Sequence, residues 1–132
     1  MKSPDETNLR DTLINPYYAI VFTDSVFKEQ KPTIAKEDWV LTNTKLIEED
    51  TPGWLEQLLS SLTEKLSDNP ASIITSPQNT VLISQRLSGK HEPMVTTNVW
   101  KSANIKLLQE LGTEEWLWRL LGVLETGGPD RL

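Results

Sequence analysis

The chain contains few of the residue types that catalyse reactions or bind metals. His91 is the only histidine and stands beside Glu92 in a polar stretch, and the sequence contains no cysteine. A lone histidine cannot supply the ligands of a typical zinc site. The sequence also lacks a Gly-x-Ser-x-Gly turn and a glycine-rich phosphate loop. We therefore predict no catalytic, metal or cofactor site, although carboxylates, Ser, Thr, Tyr and Lys remain available for chemistry.

A short acidic run, Glu48-Glu49-Asp50, ends one predicted helix. Carboxylates could hold a divalent cation, but side chains at adjacent helical positions point in different directions. We therefore interpret this run as a solvated helix end.

Two asparagines, Asn43 and Asn104, lie on the apolar faces of predicted helices, each one turn after a tryptophan. A buried amide needs hydrogen-bond partners. In the simpler interpretation, each amide ties its helix to neighbouring backbone. In the alternative, the two amides converge and form a polar site that orients a small ligand.

Three aromatic residues are candidates for a protein-interaction surface. Trp118 lies off the apolar stripe of its predicted helix, and Tyr17 and Tyr18 align with polar residues in the repeat described below. Exposed Trp and Tyr side chains often dominate interface energetics. The alternative is that Trp118 packs on an arm or loop of its own domain.

These candidates lie within a sequence that repeats itself. Residues 15–50 match residues 76–111 at a shift of 61, with seven identities. Residues 51–62 match residues 113–124 with six identities, if Gly112 is counted as an insertion. The identical pairs include Trp39/Trp100, Asn43/Asn104 and Trp54/Trp116. The pattern predicts an internal duplication.

Each copy reads as a strand followed by two helices. A continuous apolar run favours a buried strand, and a stripe at i, i+4, i+7 and i+8 favours an amphipathic helix. Thr51 and Thr113 are the expected N-caps of the second helices. The predicted strands are 19–22 and 81–83, and the predicted helices are 36–49, 52–66, 97–110 and 114–125.

Two antiparallel helices return the chain to the end where the strand finished, so the two strands should pair antiparallel. The predicted fold is α+β: two tandem strand–helix–helix repeats related by a pseudo-twofold axis, with a small antiparallel sheet packed against four helices. Residues 1–132 then form a single domain built from repeats at about 12–66 and 73–125. The N-terminal arm 1–11, the joint 67–72 and the C-terminal tail 128–132 are expected to be flexible.

Composition narrows the possible partners. The net charge is −6, which disfavours binding to the phosphates of nucleic acids. No apolar run is long enough for a membrane span, and the polar N-terminal sequence does not resemble a signal peptide. We expect a soluble cytoplasmic protein.

Each repeat has a proline, a short predicted strand, a helix that starts near a Trp, and a helix with the pattern Trp-Leu-x-x-Leu-Leu. This arrangement is similar to that of small bacterial proteins. The resemblance implies no activity. The sequence favours a non-catalytic interaction or scaffold module that presents an aromatic patch to a protein partner or to itself. The alternative is a small-molecule binder or enzyme with its site between the two repeats.

Overall fold

The computed structural model describes residues 12–22, 27, 32–63, 75–87 and 92–127, and this part of the chain is helical. Its four long α-helices are α1 (Lys36–Glu49), α2 (Thr51–Thr63), α3 (Thr97–Leu111) and α4 (Thr113–Thr126), and residues 12–14 are also α-helical. Single turns of 3-10 helix span Pro16–Tyr18, Pro77–Asn79 and Gln85–Leu87. We call residues 12–63 the first half and residues 75–127 the second half.

The predicted α+β class is wrong, because no strand or sheet occurs within the described residues. The predicted strands at 19–22 and 81–83 are loops that follow the single turns starting at Pro16 and Pro77. Their first amides donate back to those turns: Ile20 N bonds Pro16 O and Val81 N bonds Pro77 O.

Burial explains the misleading pattern of the two loops. Ile20, Phe22, Val81 and Ile83 are buried in the helical core. A short apolar run reports burial, and its period alone cannot tell a strand from a packed loop.

The two halves are joined by matching backbone hydrogen bonds. Ile34 N of the first half donates to Asn79 O at 3.1 Å, and Val95 N of the second half donates to Tyr18 O at 3.1 Å. Each half therefore satisfies backbone groups of the other. The predicted duplication agrees with this pattern and stays a prediction.

The helices form two hairpins that pack on each other. α1 contacts α2 and α4, and α3 contacts α4 and α2. The tryptophans of the predicted stripes, Trp39, Trp54, Trp100 and Trp116, are all buried. The rings of Trp54 and Trp116 meet edge to face, with their centroids 5.9 Å apart, so the two hairpins touch at the centre of the core.

The hairpin corners are built differently. In the first corner Asp50 Oδ1 accepts the Gly53 amide at 3.1 Å, so Asp50 caps α2 and the expected cap Thr51 does not. The Thr51 hydroxyl instead donates to Ile47 O in the preceding helix. A Cβ at position 53 would collide with the Asp50 carboxylate, so glycine permits this cap.

In the second corner Gly112 has a φ of +87°, a conformation that favours glycine over residues with a side chain. No side chain caps α4 there, so the expected Thr113 cap is not formed. The extra residue of the second half lies inside α3, which has 15 residues where α1 has 14.

Other expectations fall outside the described residues, namely the arm 1–11, the joint 67–72, the tail 128–132 and His91. Among the described helices, none has both the length and the apolar character that crossing a membrane requires.

We expect Trp116→Ala to lower the free energy of unfolding by about 3–5 kcal/mol, because it removes a fully buried aromatic side chain at the contact between the hairpins. Trp118→Ala, in the same helix but 39% exposed, is the matched control and should cost much less. Urea titration measures both values. Equal losses would show that the burial assignment of the two rings is wrong.

Candidate functional site

Asn43 and Asn104 each hold a helical hairpin together. Trp54 Nε1 donates to Asn43 Oδ1 at 2.9 Å, and Trp116 Nε1 donates to Asn104 Oδ1 at 3.0 Å. Both asparagines have no exposed surface. Each indole N–H therefore finds its partner on the neighbouring helix of its own hairpin, as a buried polar group requires.

The other end of each amide is also occupied by protein. Asn43 Nδ2 donates to Trp39 O one turn back, and Asn104 Nδ2 donates to Trp100 O and to Leu13 O, each at 2.9 Å. A ligand at either amide would have to displace these bonds. Of the two asparagines, Asn104 reaches neighbouring backbone, through Leu13 O, whereas Asn43 bonds an indole and its own helix. The ligand site at Asn43 and Asn104 stays a prediction.

Trp118 lies in an open groove of about 470 Å³ between the two halves. α1 supplies one wall, and the corner between α3 and α4 together with the start of α4 supplies the other. The lining residues are Thr44, Glu48, Leu111, Gly112, Thr113, Glu114, Glu115 and Trp118. The groove therefore combines an exposed aromatic ring with three carboxylates.

The rim of the groove is acidic. Glu114 and Glu115 stand in the first turn of α4, four and three residues before Trp118, so they share its face of the helix. Arg119 Nε donates to Glu115 Oε2 at 2.8 Å, which partly balances that carboxylate. Glu48 faces them from α1, and no lysine or arginine is among the described residues that line the groove.

Thr44 contributes to the wall of the groove. Its Oγ1 is buried and finds no hydrogen-bond partner among the described residues. Because this oxygen has almost no accessible surface, a group in the groove cannot bond it unless the wall moves.

The aligned position in the first half is closed by an ion pair. Glu56, which aligns with Trp118, bonds the Lys101 ammonium across the contact between α2 and α3. Val40 aligns with Lys101 and is buried. One side of the molecule therefore carries an internal salt bridge, and the other carries an open aromatic groove.

Tyr17 and Tyr18 are not among the groove residues. Both are half-buried, and their rings meet edge to face at 5.4 Å. Tyr17 also packs against the core. The structure thus places these tyrosines apart from the lining set of Trp118.

Sequence reasoning missed the groove as a set, although it identified Trp118. The acidic residues at i−4 and i−3 of Trp118 were a local signal that could have revealed the α4 wall. Thr44 and Glu48 of α1 join the site only through packing between halves. The described residues contain no group of three or more His, Asp or Glu side chains placed to hold a metal ion.

No protein-family model matches this chain, and comparisons with curated proteins and with solved structures find no similar protein.

Asn43→Leu and Asn104→Leu should each lower the free energy of unfolding by about 1–3 kcal/mol, because each substitution leaves a buried indole N–H without a partner. Chemical denaturation with Ser102→Ala, an exposed change on α3, as control measures this cost.

A double-mutant cycle isolates the bond itself. Asn104→Ala combined with Trp116→Phe should show a coupling of about 1 kcal/mol. Strictly additive losses would exclude the Asn104–Trp116 bond as a source of stability.

Proposed function

We propose that this chain is a protein-interaction module, and that its Trp118 groove holds a segment of a protein partner that carries a lysine or arginine side chain. The observation that carries the proposal is an exposed tryptophan in an open groove with an acidic rim.

Exposure sets Trp118 apart from the rest of its helix. The other large apolar residues of α4, from Trp116 to Leu124, are buried, whereas Trp118 is 39% exposed. The exposed part of the indole can supply an anchoring area to a partner. Its place inside a groove lets a partner side chain be enclosed on several sides.

Charge supports a positively charged occupant. Glu48, Glu114 and Glu115 line the same groove as the ring, and a guanidinium can bond carboxylates while it stacks on an indole. A cation over a tryptophan face contributes about 0.5–2 kcal/mol. The Lys101–Glu56 pair is an internal analogue, in which a cation from one half neutralises an acid of the other. In the groove, the partner would supply the cation.

The same charges disfavour nucleic acid as the partner, because phosphates would approach three carboxylates. The open shape suits an extended peptide that runs through the groove. This proposal retains the sequence-based expectation of a cytoplasmic, non-catalytic protein. It does not use Tyr17 or Tyr18, whose predicted role in an interface stays a prediction.

Selection from a random peptide display library tests the proposal directly, because the library itself supplies the candidate segments. The wild-type chain should enrich peptides that carry Lys or Arg, and Trp118→Ala should weaken their binding by about ten-fold or more, equivalent to about 1.4 kcal/mol. Glu48→Gln and Glu114→Gln should weaken binding less, and added salt should reduce their effect.

Val99→Ala is the control, because Val99 is an exposed apolar residue of α3 that does not line the groove, and the substitution changes no charge. It should leave peptide binding unchanged, and urea titration should show that every variant is folded. Peptides that bind Trp118→Ala as tightly as the wild type would refute the proposal. Preferential enrichment of acidic peptides would refute the positively charged occupant.

A further inference from the structure

The two halves make the same types of contact with each other in both directions. The backbone bonds run from Ile34 to Asn79 and from Val95 to Tyr18, so each half donates to the other from the loop before its first long helix. The acceptor lies in the 3-10 turn Pro77–Asn79 in the first case and in the turn Pro16–Tyr18 in the second. Neither half satisfies these groups within itself.

The packing of the helices shows the same reciprocal pattern. The first helix of each half contacts the second helix of the other, α1 against α4 and α3 against α2. Ion pairs accompany both contacts. Lys36 bonds Glu125 at 2.7 Å between the start of α1 and the end of α4, and Lys101 bonds Glu56 between α3 and α2.

The surfaces that join the halves are also part of the core. Trp54 and Trp116 meet across this boundary, and the Asn104 amide reaches across it to Leu13 O. Separation of the halves would expose these apolar rings and leave a buried polar group without its partner. Each half therefore requires a complementary half, and nothing in these contacts requires that it belong to the same chain.

We propose that two copies of this chain exchange halves, so that the first half of one copy packs on the second half of the other. Every contact between the described residues of the two halves is retained in such a dimer, and residues 64–74 then connect each first half to the second half of the other unit. In the single chain, this connection gives the halves a high effective concentration for each other, which favours the monomer in dilute solution. A high protein concentration or a shorter connection favours exchange.

Exchange makes the Trp118 groove a composite site. Thr44 and Glu48 would come from one copy, and Trp118 with the α3–α4 corner would come from the other. The exchanged dimer would then present two grooves. The inference rests on the contacts between halves and does not depend on what the groove binds.

Complementation between full-length variants tests the exchange. One variant carries Trp54→Ala and Leu58→Ala in the first half, and the other carries Trp116→Ala and Leu120→Ala in the second half; all four side chains are buried. The two are mixed in urea and refolded together at high concentration. If halves exchange, dimers form that contain one unit with two intact halves and one with two altered halves.

Urea unfolding of the mixture should then show a component that is more stable than either variant alone and whose midpoint rises with protein concentration, and light scattering should assign this component the mass of a dimer. The control mixes two first-half variants, Trp54→Ala/Leu58→Ala and Trp39→Ala/Val40→Ala. No unit with two intact halves can form there, so the more stable component should be missing. Its absence from the first mixture, or its equal presence in both, would overturn the proposal.

A shortened connection supplies a second measurement. Deletion of residues 68–71 from the otherwise wild-type chain should shift the folded protein from monomer to dimer. A shortened chain that is folded and still monomeric at high concentration would also overturn the proposal. If the shortened chain does not fold, the complementation result decides.

Discussion

The hydrogen bond between a buried asparagine and a buried indole fixes how each helical hairpin closes. Asn43 receives the Trp54 N–H and Asn104 receives the Trp116 N–H, and all four side chains lie in the core. Apolar stripes alone permit two helices to slide and rotate with little penalty. A buried donor and acceptor that must meet at about 3 Å remove that freedom, because any other register leaves both groups unpaired.

The same two bonds also determine how the two hairpins pack on each other. They hold Trp54 and Trp116 at the inner ends of their hairpins, where the two rings meet. That contact brings α1 against α4 and α3 against α2. The groove at Trp118 is then a consequence of how α1 lies beside the corner between α3 and α4.

The sequence predicted the four long helices closely, because their apolar stripes extend over three or four turns. It failed at 19–22 and 81–83, where four or three apolar residues are too few to reveal a period. The cap at Asp50 was missed because Thr51 and Pro52 form a common signal for the start of a helix. The bond from the Gly53 amide to Asp50 instead depends on the shape of the corner between α1 and α2.

The candidate site shows the same limit of sequence reasoning. Trp118 could be identified because its position off the apolar stripe is visible in the sequence of a single helix. Glu48 and Thr44 are about 70 residues away in sequence and carry no local sign of their role. The partner of Glu56, Lys101 on α3, is 45 residues away and was hidden for the same reason.

The unequal lengths of α1 and α3 have a consequence for how this surface can change. One additional helical residue turns the chain by about 100° and advances it by about 1.5 Å, yet both Asn–Trp bonds form. The adjustment is absorbed at Leu111 and Gly112, which border the groove. The corner can therefore differ in length and backbone geometry from its counterpart while both Asn–Trp bonds are kept, so the wall of the groove can change shape without altering the register inside either hairpin.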